Sequence, residues 1–211
     1  VKKVDVSLQK AEDVGYIARL IELQKPAQEV RLEAAPVDMA ETPTVSTEAS
    51  TALGDALRGC RASLRRLKLV SHRFEDAAAV ANVLQAVSGG PVLEELDLTN
   101  SNLRTEGGVA LAEALRGCAA LRVVRLEDCE LQDEGCAAIA EALKGCATLE
   151  ELDLRNNDME ADAAKAVAAA VPGMTALRAL KLDDLEDELD PIIEALSGMD
   201  KVGVLKLDEE D

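Results

Sequence analysis

Between Leu93 and Ala176 the chain says the same thing three times. The segments starting at Leu93, Leu121 and Leu149 are each 28 residues long and can be superposed without a gap. Each opens on apolar residues at the first, fourth and sixth positions (LEELDL, LRVVRL, LEELDL). Each then runs into an Ala/Leu-rich half with helical spacing. The alternation over the opening residues is that of a strand, and the second half buries one helical stripe. A strand–turn–helix unit this short has nothing of its own to bury those faces against. It must stack on its neighbours, so the chain is expected to fold as a solenoid of strand–helix coils.

The opening signature recurs beyond the three clear copies. It begins at Val1, Ala27, Leu64, Leu93, Leu121, Leu149, Leu177 and Val202, which gives eight coils, regular in the middle and degenerate at both ends. The signature and period together describe an α/β leucine-rich-repeat solenoid with a parallel sheet on its concave side. One domain is expected over residues 1–211. Degenerate repeats fill 1–63, regular repeats 64–176 and an acidic, degenerate end 177–211.

The helical stripes are explicit. Val14, Ile17, Ala18 and Ile21 make the first, and Pro26 follows it. Gly108, Leu111, Ala112 and Leu115 make the fourth, Cys136, Ile139, Ala140 and Leu143 the fifth, and Ala164, Val167, Ala168 and Val171 the sixth. Thr105 stands where an N-cap belongs, and Gly117 and Gly145 stand where helices end. The second repeat is overlong. Its excess, Ala34 to Thr47, holds two prolines, Thr and Ser and reads as a loop, either a tolerated insertion or a contact site.

Aromatics are 1% of the chain, so the core is built from Leu, Val, Ile, Ala and Cys. Cys60, Cys118 and Cys146 recur at one repeat position after Gly and read as small buried apolar residues. With no C-x-x-C pair and one histidine, neither a metal nor a cofactor is expected. Free thiols fit a reducing, intracellular compartment, the cytoplasm first. A net charge of −18 argues against nucleic acid and anionic membranes, and no apolar run reaches spanning length.

Strand positions between the inward leucines face the concave side. The second positions read Arg65, Glu94, Arg122, Glu150, Arg178 and the fifth Lys68, Asp97, Arg125, Asp153, Lys181. The sign alternates from coil to coil, so cross-strand pairing should neutralise this face. The turn after each strand carries His72, Ser101, Cys129 and Asn157 in register, expected as a polar column bonding to adjacent turns. The acidic runs Asp183–Asp190 and Asp208–Asp211 are expected to be solvated and to blunt the edge of the last strand, Val202–Leu207. No nucleophile–base motif and no phosphate-cradling loop is present. What remains for a partner is the rim of the turns: Asn100, Asn102, Glu127, Asp128, Arg155 and Asn156, which have no evident partner within the chain.

Three stretches, Glu106–Leu115, Leu121–Gly135 and Leu149–Val171, resemble the ribonuclease-inhibitor-like class of leucine-rich repeats. Within that class they look most like the C-terminal repeats of plant and algal Ran GTPase-activating proteins, whose repeats also precede an acidic tail. The resemblance implies the fold, and a small GTPase as one partner class. It does not carry the activity over: that family works through an arginine in a Gly-Arg loop and a turn asparagine in early repeats. No Gly here is followed by Arg, and Asn156 and Asn157 lie in a late repeat. The expected role is therefore a non-catalytic protein-interaction scaffold, as in a subunit of a larger assembly. GTPase activation through Arg73, Arg104 or Arg155 is the alternative.

Overall fold

A computed structural model describes residues 2–8, 13–34, 44–183, 190–197 and 205–208 of the chain. Strand follows helix through it: β1 (Lys3–Leu8), α1 (Asp13–Leu23), β2 (Glu29–Ala34), β3 (Thr44–Val45), α2 (Thr47–Arg58), β4 (Arg66–Val70), β5 (Arg73–Phe74), α3 (Ala77–Val87) and β6 (Glu95–Asp97). Then come α4 (Arg104–Leu115), β7 (Val123–Arg125), α5 (Gln132–Leu143), β8 (Glu151–Asp153), α6 (Ala161–Ala170), β9 (Ala179–Asp183), α7 (Asp190–Ser197) and β10 (Leu205–Asp208). Eight strands form one parallel sheet in the order β1-β2-β4-β6-β7-β8-β9-β10. All eight opening signatures thus become neighbouring strands, and the chain is a leucine-rich-repeat solenoid.

Three leucine columns build the core of the regular coils. Leu93, Leu121, Leu149 and Leu177 form one, Leu96, Val124, Leu152 and Leu180 the second, and Leu98, Leu126, Leu154 and Leu182 the third; all are buried. The helical stripes of α4 and α5 are buried as their spacing requires. In the sixth stripe Ala168 is only partly buried, and Ala163 and Ala170 carry the inner face instead. Ile17, Ala18 and Ile21 are buried on α1, whereas the Val14 side chain lies outside the described residues. Cys60 and Cys118 are buried and Cys146 only partly, and all five cysteines are free thiols.

Coils approach closely just past the helices. A Cβ built on Gly117 would stand 2.7 Å from Gly89 Cα, and one on Gly173 would stand 2.7 Å from the Gly145 backbone nitrogen. Gly145 itself has φ +84°, the left-handed conformation that closes a helix.

Two expectations change. Thr105 does not cap α4: Leu103 occupies the cap position without a side-chain bond, and Thr105 lies inside the helix. Its Oγ1 donates to Gln132 Oε1 at 2.9 Å, tethering α4 to α5. Nor is the overlong segment all loop. Ala34 completes β2, and Thr44–Val45 pair in parallel with Arg73–Phe74 as a second, two-stranded sheet. Ser46 then caps α2 by accepting from the Ala49 amide at 3.2 Å. Residues 35–43 lie outside the described residues, as do 184–189 and 209–211 of the acidic runs, Val1, and 202–204 of the last strand signature. The expected blunting of that edge therefore also falls there.

Candidate functional site: the sheet face and its rim

The sheet register sets two rows of side chains on the concave face. One runs Lys3, Glu29, Arg66, Glu95, Val123, Glu151, Ala179, and the other Asp5, Arg31, Lys68, Asp97, Arg125, Asp153, Lys181. The second is the expected fifth-position row. The first consists of third positions, which spacing alone does not single out because two residues stand between the first two leucines. Those residues turn out to hold the network together.

Lys3 meets Glu29 at 3.0 Å, Glu29 meets Arg66 at 3.4 Å, and Arg66 meets Glu95 at 3.4 Å. Glu95 also binds Lys68 at 2.6 Å and Arg125 at 2.8 Å. Arg125 grips Glu151 through two nitrogens at 3.1 and 3.0 Å. Glu151 then meets Lys181 at 2.8 Å, and Lys181 reaches Asp153 at 3.2 Å. Val123 occupies the place where a cation would continue the first row, so Arg125 serves the carboxylates on both sides of it. The second-position residues form separate pairs, Arg65 with Glu94 and Arg122 with Glu150. Asp153 turns to Arg155 and Lys181, not to Arg125 as strict alternation would have it.

Electrostatics follow the geometry. Burial alone would raise the carboxyl of Glu95, but Lys68 and Arg125 hold it below its usual range. Burial acts on Glu151 in the same sense and is overcome by Arg125 and Lys181; for Asp153 it is overcome by Arg155 and Lys181. Burial would lower the Arg125 guanidinium, yet Glu151 and Glu95 raise it. These groups are ionised and mutually satisfied at neutral pH.

The rim residues are placed along one edge, as expected, but the premise that they lack partners within the chain is corrected. Asn100 Nδ2 donates to Ser71 Oγ at 3.2 Å, and Asn102 Nδ2 donates to Glu130 Oε1 at 2.9 Å. Arg155 donates to Glu127 Oε2 and to Asp153 Oδ2, both at 2.9 Å. Contacts between residues 28 or 29 apart join neighbouring coils, so one coil read alone shows none of them. Ser71, Asn100, Asp128 and Asn156 share positive φ, between 54° and 60°. Asn and Asp tolerate that conformation better than most residues, which accounts for their presence there. The amides of Ser71, Asn100 and Asp128 donate to Thr99, Glu127 and Arg155 carbonyls in the next coil. In the last regular coil the Asp183 carboxylate takes over, accepting from Asn156 N at 2.9 Å.

The polar column beneath the rim is buried throughout: His72, Ser101, Cys129 and Asn157 are at most 2% exposed. Ser101 Oγ donates to Leu69 O at 2.8 Å, Cys129 Sγ to Leu98 O at 3.1 Å, and Asn157 Nδ2 to Leu126 O at 2.7 Å. Asn157 Oδ1 also accepts from the Cys129 and Leu131 amides. His72 departs from the pattern, since its ring makes no such bond. Burial pushes the Cys129 thiol upward and that of Cys136 up to about 12, so neither is a ready nucleophile.

Of the three turn arginines, Arg155 is held by Asp153 and Glu127. Arg104 keeps its side chain 55% exposed, 4.0 Å from Glu130, and Arg73 is exposed on β5. Among the described residues no helix is long and apolar enough to cross a membrane.

Residues 91–112, 117–140 and 145–168 match the family model of the leucine-rich repeat. No curated protein matches the chain.

Proposed function

We propose that the chain is a non-catalytic scaffold for protein–protein interaction, one unit over residues 1–211 that serves as a subunit of a larger assembly in a reducing intracellular compartment. The observation that carries this reading is the saturation of the concave face. Glu151 and Asp153 are each already engaged by two cations, and Glu95 by three. A partner docking there would have to desolvate and break pairs that are satisfied, which costs more than it returns. The rim of Asn100, Asn102, Glu127, Asp128, Arg155 and Asn156 already has its turn geometry fixed, so little ordering is lost on binding. Together with the segment around 34–47 and the terminal coils, it is the preferred contact surface. Photo-cross-linkers placed at Asn102, Asp128 and Asn156 should capture partners in cells, and one at Val123 should not. Capture centred on Val123 with a silent rim would sink the assignment.

The second reading, activation of a Ran-type GTPase, draws on the exposure of Arg104 in the rim. It would act by ordering the GTPase's own catalytic glutamine. Single-turnover GTP hydrolysis by Ran, with and without the chain, separates the two. A stimulation of roughly a thousandfold or more would replace the scaffold reading, and an unchanged rate supports it.

A further inference from the structure

In coils with Ser101, Cys129 and Asn157, the buried turn residue ties its coil to the preceding one through the carbonyl of the leucine at the sixth position of the strand signature. The register places Leu32 of β2 opposite Leu69 of β4, so Leu32 stands to the third coil as Leu69 stands to the fourth. The residue at the tying position is His72. Its side chain is buried, yet neither Nδ1 nor Nε2 has a hydrogen-bond partner among the described residues. Only its backbone amide is engaged, at 3.4 Å from Ser101 Oγ. Among the described residues, the joint between β2 and β4 therefore lacks a side-chain clamp at the turn position that ties the next three joints, though Ser63 Oγ still donates to the Ala27 carbonyl at 2.7 Å, and it carries an orphaned imidazole besides.

Among the described residues, the surroundings offer no carboxylate to pair with a charged ring. Val30 and Leu32 of β2, Val45 of β3, Leu67 and Leu69 of β4 and Phe74 of β5 are the buried, inward residues here. The charged groups of these elements are engaged elsewhere or face solvent. Arg31 pairs with Glu33 on β2, Lys68 of β4 pairs with Glu95, and Arg73 of β5 is exposed. Glu75 holds the Thr47 amide, Asp76 caps α3, and Asp97 of β6 accepts from Thr99.

We propose that the β2–β4 joint is an acid-sensitive latch: protonation of His72 opens the solenoid there, releasing β1, α1 and β2 while the regular coils stay closed. Burial supports this by lowering the imidazole from 6.5 to about 4; the nearby Val70 carbonyl opposes it more weakly, because the ring does not reach that carbonyl in hydrogen-bonding geometry. A group so lowered stays neutral in the closed state and takes up a proton on opening. Closure is complete in its stabilisation above about pH 6.5 and is lost as pH falls toward about 4. Between pH 7.5 and 5.5 the opening equilibrium should grow about tenfold.

Amide hydrogen exchange on the full chain, corrected for intrinsic rates, tests this. Protection in β1 and β2 should fall about tenfold from pH 7.5 to 5.5, while β7 and β8 hold theirs. His72→Asn supplies the side chain found at position 157 and should raise protection of β2 at pH 7.5 and abolish its pH dependence. His72→Ser, which matches Ser101 of the next coil, serves the same purpose if the amide does not fit. Equal loss of protection in all coils, or pH dependence surviving in the folded variants, would overturn the proposal.

Discussion

Asn157 shows how much one side chain can do in a coil. Its amide donates to the Leu126, Leu154 and Arg155 carbonyls and accepts from the Cys129 and Leu131 amides. Asn157→Ala leaves several buried backbone groups unpaired, each costing about 1–3 kcal/mol, so a loss of at least about 2 kcal/mol is expected in urea unfolding. Leu126→Ala, at a fully buried strand position, should cost about 2–5 kcal/mol. A melt matching the parent chain would show that this residue does not face the core. Both residues were legible in the sequence, because burial and the polar column recur at the repeat period. The failure of His72 to bond was not legible. Its position is right, and only the contents of the neighbouring coil decide whether its ring finds an acceptor.

Elements are joined here chiefly by contacts from one coil to the next. Asp133, in the first turn of α5, caps the following helix by accepting from the Glu160 and Ala163 amides, each at 2.8 Å. A cap usually sits beside its own helix. This one lies a full repeat away in sequence, and the same distance hid the Thr105–Gln132 bond and the rim pairs. On the sheet, Arg125→Glu would set a fourth acid among Glu95, Asp97 and Glu151. The loss should exceed the about 1 kcal/mol of a single exposed pair, because attractions become repulsions. Raising the salt should recover part of it. Equal stability of the variant at low and high salt would show that the network does not hold these strands.

At the scale of the molecule, the cations and carboxylates of the concave face nearly balance, so the net charge of −18 resides mostly on turns, helices and termini. From β4 to β9 the alternation also sets a rule of parity, although Arg31 beside Lys68 breaks it at the β2–β4 joint. Excising one coil, residues 121–148, would bring β6 beside β8 and set Glu95 against Glu151 and Asp97 against Asp153. Excising two, residues 93–148, would bring β4 beside β8 and set Arg66 against Glu151 and Lys68 against Asp153. The double deletion removes more core, yet it is expected to fold the better of the two, with the higher urea midpoint. A lower midpoint for the double deletion would show that apolar stacking alone sets the order. If parity holds, the coil pair is the unit by which tandem duplication lengthens the regular part of this sheet without setting like charges side by side.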